Sequence, residues 1–349
     1  MAYISFQPKD YFNTKLYTGT GSSNAVTGVG FQPDFTWLKN RNAAEHNKLF
    51  DAVRGANKVI YSNLGAIQYT VTEELKSFDS DGFTVGTETA VNANGQNIVG
   101  WNWKANGQGS SNTDGSINTT YTSVNTTSGF SISTYTGTGS NATVGHGLGV
   151  APSVMIVKNL TNANSWSVYH KGLNGGVTPQ NYFLHLNETD TAAANASTWN
   201  NTAPTSSVFS IGTNNNTGGS YNYVAYCFAE KQGFSKFGSY VGNGEPGNDA
   251  PFIYTGFKPA FVLLKSSTYA ESWSITDNRR LGYNGSSAFL KADASQAEAT
   301  DLPNPEFLSN GFKLQTNDNV YNKNTQSYIY MAFAEAPLVA TNGQPATAR

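Results

Sequence analysis

Tyr223-Val-Ala-Tyr-Cys-Phe-Ala-Glu230 alternates large and small side chains, as a strand with two unlike faces does, and the chain carries it three times. Its counterparts are Ile98-Val-Gly-Trp-Asn-Trp-Lys-Ala105 and Tyr328-Ile-Tyr-Met-Ala-Phe-Ala-Glu335. Val99, Trp101 and Trp103 share one face; Val224, Tyr226 and Phe228, and Ile329, Met331 and Phe333, are the matching sets. Each copy thus sends three large apolar groups into a core. The positions between are mostly small (Gly100, Ala225, Cys227, Ala332), as where a neighbouring layer packs close.

Upstream of each closing block stands a proline, an apolar run and a lysine: Pro33 to Lys39, Pro152 to Lys158, and Pro259 to Lys265. Continuous apolar runs such as Ser153–Val157 and Ala260–Leu264 suit strands buried on both faces. Further upstream, Tyr17-Thr-Gly-Thr-Gly21 returns as Tyr135-Thr-Gly-Thr-Gly139 and, more loosely, as Tyr240-Val-Gly-Asn-Gly244. Three ordered signatures recurring about every 110 residues have the period of a domain rather than of a solenoid repeat. Asp81-Gly82 and Asn310-Gly311 add turn signals, each followed by an alternating strand. The expected fold is all-β: three tandem β-sandwich domains of jelly-roll topology, arranged in line, with Trp103, Phe228 and Phe333 each in its own core. One weak helical signal falls at Val71 to Phe78.

The divisions follow. Residues 1–12 precede the first signature and carry Tyr3, Ile4, Phe6, Tyr11 and Phe12, so they read as an anchor segment ordered by a partner. Repeat 1 covers residues 13–105, a Gly/Ser-rich flexible linker 106–115, repeat 2 residues 116–233, repeat 3 residues 234–337, and an extended tail 338–349.

Composition narrows the function. Charged residues are only 13% and net charge is -2, with no basic cluster, which argues against nucleic-acid binding because phosphate contacts need Lys and Arg. No run approaches the ~20 apolar residues of a membrane span. The N-terminus has neither the basic start nor the apolar core of a secretory signal. A single cysteine, Cys227, forbids an intrachain disulfide and sits where the other copies hold Asn102 and Ala332, so it reads as a packed side chain.

Several constellations could carry chemistry. Phe50-Asp51 with Arg54, Trp166 with Tyr169 and His170, and Trp273 with Asp277, Arg279 and Arg280 could pair an aromatic platform with a sugar-binding carboxylate. The competing reading, an Asp–Arg pair tying a turn beside a core Trp, is preferred because the second copy has His170-Lys171 there. Glu73, Glu74, Asp79 and Asp81, and Glu188 with Asp190, lack the spacing of a glycosidase strand and read as loop groups. His46, His146, His170 and His185 are scattered singly, so no metal site and no cofactor is expected. Gly145-His-Gly-Leu-Gly149 precedes a strand rather than a helix and is not a phosphate cradle. No catalytic residue is assigned, and ligand-binding residues stay unassigned. The chain reads as a non-enzyme.

Gly129 to Gly139, Gly145 to Gly149, Ala203 to Phe209 and Tyr223 to Glu230 together resemble a domain found in tandem in tail and virion proteins of marine and environmental bacteriophages. Lys236 to Gly244 with Ser309 to Lys313, and Leu49 to Gly55 with Ser77 to Phe83, are similar to the following and leading copies of that domain. The resemblance implies concanavalin-like sandwiches and a virion protein assembled in the bacterial host cytoplasm. It implies a tail fibre or appendage taking part in host-surface recognition and attachment, touching host glycan or envelope protein. The alternative is a capsid or tail decoration or adaptor protein that binds only other virion subunits. Partners would be other virion proteins, engaged through residues 1–12, and tail appendages of this type imply a homotrimer.

Overall fold

A computed structural model describes residues 4–280, 288–300, 302 and 305–337; the tail at 338–349 lies outside the described residues. It is nearly all β, and its sheets are antiparallel. In each repeat the principal sheet has the same order: leading, closing, proline-led and fourth strand. These are Phe12–Thr18, Asn97–Trp103, Phe35–Asn40 and Lys48–Asp51 in the first unit. They are Phe130–Thr136, Asn222–Phe228, Val154–Asn159 and Ser167–His170 in the second. In the third they are Ser235–Val241, Ser327–Pro337, Phe257–Ser266 and Ser274–Asp277. A smaller outer sheet faces each one, built on Asn24–Thr27, Ala142–Gly145 or Phe252–Tyr254. Each unit is therefore a two-layer sandwich with its own apolar filling.

The turn glycines serve close approach. A Cβ on Gly82 would lie 1.9 Å from the Val26 carbonyl oxygen, and one on Gly311 would lie 2.1 Å from that of Ile253. The outer strand passes too near for any side chain.

The units are not in line. The three large side chains of every closing strand point away from their own outer sheet into one apolar cluster common to all three units. Trp103 meets Phe333 at 5.6 Å between ring centroids, Phe228 meets Phe333 at 5.9 Å, and Phe35 meets Tyr226 at 4.5 Å. The small alternates face the outer sheets: Ala225 and Cys227 lie in the second unit's filling, and Ala332 in the third's. The three sandwiches stand around a common axis, where residues of all three line an apolar cavity of about 20 Å³. This explains the unbroken burial of Phe35–Asn40 and Val154–Asn159, since each principal sheet is covered on both sides. Each large side chain so buried contributes roughly 1.5–3 kcal/mol, which makes the shared core the main cohesion between units.

Three further expectations change. The apolar groups of residues 4–12 are absorbed by the chain itself, while Tyr3 lies outside the described residues. Ile4 and Phe12 are buried in the shared core, and Phe6 and Tyr11 pack edge-on to Phe234 at 5.5 and 6.3 Å. A single 3-10 turn at Pro8–Asp10 lets the segment double back beneath the closing strand of the third unit. The expected flexible linker is tied down, with Ser110 bridging Thr122 and the Gly107 amide donating to Asp34 at 3.0 Å. The helical signal at 71–78 falls instead on an outer-sheet strand, Leu75–Asp79, whose pairing with Gly82–Val85 outweighs a weak local preference.

Candidate functional site

The residues singled out for sugar binding lie at the seams between units. Asp51 and Arg54 pair three residues apart, as do Asp277 and Arg280, and all four are essentially without solvent. Each carboxylate also reaches the next unit: Asp51 Oδ2 accepts from Tyr226 Oη at 2.6 Å, and Asp277 Oδ2 accepts from Trp101 Nε1 at 2.9 Å. Trp101 and Tyr226 occupy equivalent positions, and the third unit holds Met331 there, which has no comparable donor. The second unit accordingly holds His170 where the others have Asp, and its Nε2 donates past Met331 to the Tyr330 carbonyl at 3.0 Å. Its Nδ1 accepts from the Gly172 amide at 2.9 Å, and burial pushes its pKa down to about 4. The contacts run from unit one to two, two to three and three to one. They close a ring of heterologous interfaces within one chain.

The signature aromatics and lysines complete each seam from the other side. Trp166 Nε1 donates to the Tyr61 carbonyl and Trp273 Nε1 to that of His185, both at 2.9 Å, while Asn47 Nδ2 donates to Lys291 O at 3.0 Å. Neither Trp is available as a platform, because both are buried. Lys158 Nζ donates to the carbonyls of Asn159, Asn164 and Gly65, the last in the neighbouring unit. Lys39 does the same with Asn40, Ala43 and Ser295, and Lys265 with Ser266, Thr189 and Asp190. Burial pushes these amines down, Lys158 to about 7 and the other two to about 8. Three carbonyls match the three donors of an ammonium, which is how a buried lysine is accommodated.

Most acids tie loops. Glu74 pairs with Lys48, Asp79 accepts from Ser77 and Thr84 hydroxyls at 2.7 Å, and Asp81 accepts from the amides of Gly28 and Gly30 at 2.9 and 2.7 Å. His146 braces its glycine-rich loop by accepting from the Leu148 amide at 3.1 Å. Cys227 is buried in the second unit's filling, and burial raises its thiol to about 12.

One grouping was missed. His185 Nδ1 lies 2.8 Å from Asp190 Oδ2 and 3.4 Å from Glu188 Oε2, and these three residues could ligate a divalent cation. Ser165 and Asn187 hold the other Glu188 oxygen. Burial opposes protonation of His185, but Asp190 and Glu188 together raise its pKa above the usual value. His185 and Glu188 are three residues apart in sequence, a local signal that a search for His-His spacings passes over.

The outer sheet of the third unit differs from its counterparts. Phe252 and Tyr254, 45% and 56% exposed, stand on the solvent face of their strand, where the first unit has Ala25 and Thr27 and the second Thr143 and Gly145.

Comparison with known proteins gives one family. A family model described as a domain of unknown function (DUF7483) matches residues 7–337, a single span running through all three units. No curated protein and no solved structure matches the chain. Since the match takes in nearly the whole chain, this protein belongs to the DUF7483 family.

Proposed function

We propose that the chain is a bacteriophage virion protein of the tail-appendage type, which takes part in host-surface attachment by binding rather than by cleavage. The observation that carries this reading is the exposed pair Phe252 and Tyr254. Residues two apart on a strand lie roughly 6.6 Å from each other on one face, so the two rings form an aromatic strip. Exposed aromatic faces with polar neighbours suit the apolar faces of sugar rings, and Lys313 pairs across from Phe252. The sequence resemblance supplies the virion context. The shared core supports it physically, since it packs the three sandwiches against one another and so presents the strip from a common assembly.

The apolar groups of residues 4–12 are occupied within the chain, so docking to other virion proteins is assigned to sandwich faces rather than to that segment. The test is twofold. Gold-labelled antibody should place the chain on the tails of intact virions, and F252S/Y254S should reduce adsorption of purified protein to host cells at least tenfold without changing its melting temperature. Labelling confined to heads, with adsorption unaffected, would favour the decoration protein instead.

A further inference from the structure

We propose that the cleft at the seam between the third and first units is a binding site for a small hydroxylated carboxylate, of the size of a single sugar acid. The cleft has a volume of about 240 Å³, the space of roughly eight waters. Thr14, Asn278, Lys9, Arg279 and Glu335 are among the residues lining it.

Two polar side chains in its wall are only 6% and 7% exposed, Thr14 and Asn278, and neither Thr14 Oγ1 nor Asn278 Oδ1 has a hydrogen-bond partner among the described residues. Buried polar atoms are nearly always paired, so two orphans in one wall mark a place that something else completes.

The repeats supply an internal control. Thr14 pairs with Trp101 as Ile132 pairs with Tyr226 and Phe237 with Met331, so a polar residue stands where both other units are apolar. Asn278 and Arg279 follow Asp277 where the first unit has Ala52 and Val53 after Asp51, and the second has Lys171 and Gly172 after His170. At the second seam, a Cβ on Gly172 would meet Ser239 at 2.9 Å, so that seam is packed shut. Among the described residues, the third seam combines an opening with two unpartnered polar groups in its wall.

The donor set selects the ligand. Asn278 Oδ1 accepts only, so it requires a hydroxyl or amine; Thr14 Oγ1 both donates and accepts. Lys9 and Arg279 are exposed at the mouth and have no acidic partner among the described residues, whereas Glu335 is paired with Lys258 at 3.2 Å. A guanidinium and an ammonium together call for an anion, and the guanidinium fork fits a carboxylate. A neutral sugar would leave both cations unused.

The experiment titrates the full chain with D-glucuronate, D-glucose and inorganic phosphate, followed by ligand-observed NMR. Saturable glucuronate binding, at least tenfold tighter than glucose or phosphate, is expected. R279Q should weaken it at least fivefold. T14V should weaken it at least threefold while raising the melting temperature of the free protein, because it removes an unpartnered buried hydroxyl. Phosphate binding as tightly as glucuronate would reveal an adventitious ion only and overturn the proposal. So would the absence of saturable glucuronate binding, or variants that bind like the parent chain.

Discussion

Tyr226 Oη donates to Asp51 Oδ2 at 2.6 Å across a seam from which both groups are excluded from water. The same carboxylate holds Arg54, so one oxygen serves two units at once. Tyr226→Phe should cost roughly 1.5–3 kcal/mol, the range for a hydrogen bond to a charged group. Asp51→Ala should cost more, roughly 3–5 kcal/mol, because it strands a buried guanidinium. Urea denaturation measures both. Equal costs would mean that Arg54 finds another partner.

Phe333 touches Phe12, Phe228, Phe237 and Phe261, which belong to all three units. Phe333→Ala should therefore cost roughly 3–5 kcal/mol and lower the stability of the entire chain in one transition. Calorimetry decides this. A third unit melting separately, with the first two unaffected, would show that the shared core does not couple them.

The sandwiches were legible because their signals are local. Alternation in Asn222–Phe228, the lysine after each proline-led run and the glycine-marked turns each depend on neighbours in sequence. The arrangement was not, for a definite reason. A period of two separates the faces of a strand, but when both faces are buried it cannot say which meets its own outer sheet and which meets another unit. The large triplets of Trp101, Tyr226 and Met331 were read as private cores for that reason. The lysines were visible as a repeat, yet the carbonyls of Gly65, Thr189, Asp190 and Ser295 that receive them lie in other units. His170 looked like an irregular copy until Met331 explained it.

His170 gives the chain an acid sensitivity with a defined sign. Buried, with Nδ1 accepting from Gly172, it resists protonation, and its pKa falls from 6.5 to about 4. The unfolded chain takes up this proton below pH 6.5 and the folded chain does not. The contribution is therefore fully present above pH 6.5 and is lost as pH falls toward 4, by about 3 kcal/mol in total. Lys171 and Glu230 act on the ring in opposite directions, Lys171 lowering its pKa and Glu230 raising it. His170→Gln can still donate to Tyr330 O but has no proton to gain, so the difference in stability between parent and variant should shrink steadily from pH 7 to pH 4. A constant difference across that range would show that His170 does not titrate in the fold.

Residues 2–12 test how the core is closed. Ile4, Phe6, Tyr11 and Phe12 cover the end of the shared core at which Phe234 and Phe333 lie, and Phe12 stacks on Phe333 at 5.3 Å. Were the segment an appendage ordered by a partner, its deletion would leave the remaining chain as stable as before. Here it removes four side chains from the core, each contributing about 1.5–3 kcal/mol when fully buried, with Phe6 and Tyr11 at the lower end because they are only partly covered. It also uncovers the Phe234 ring, creating an exposed aromatic surface that favours association. The truncated chain should melt well below the parent, bind a hydrophobic dye and show concentration-dependent association. A truncated chain that keeps the parent's melting temperature and stays free of dye would mean that the three units close their core without it, and would return the segment to the role of an external anchor.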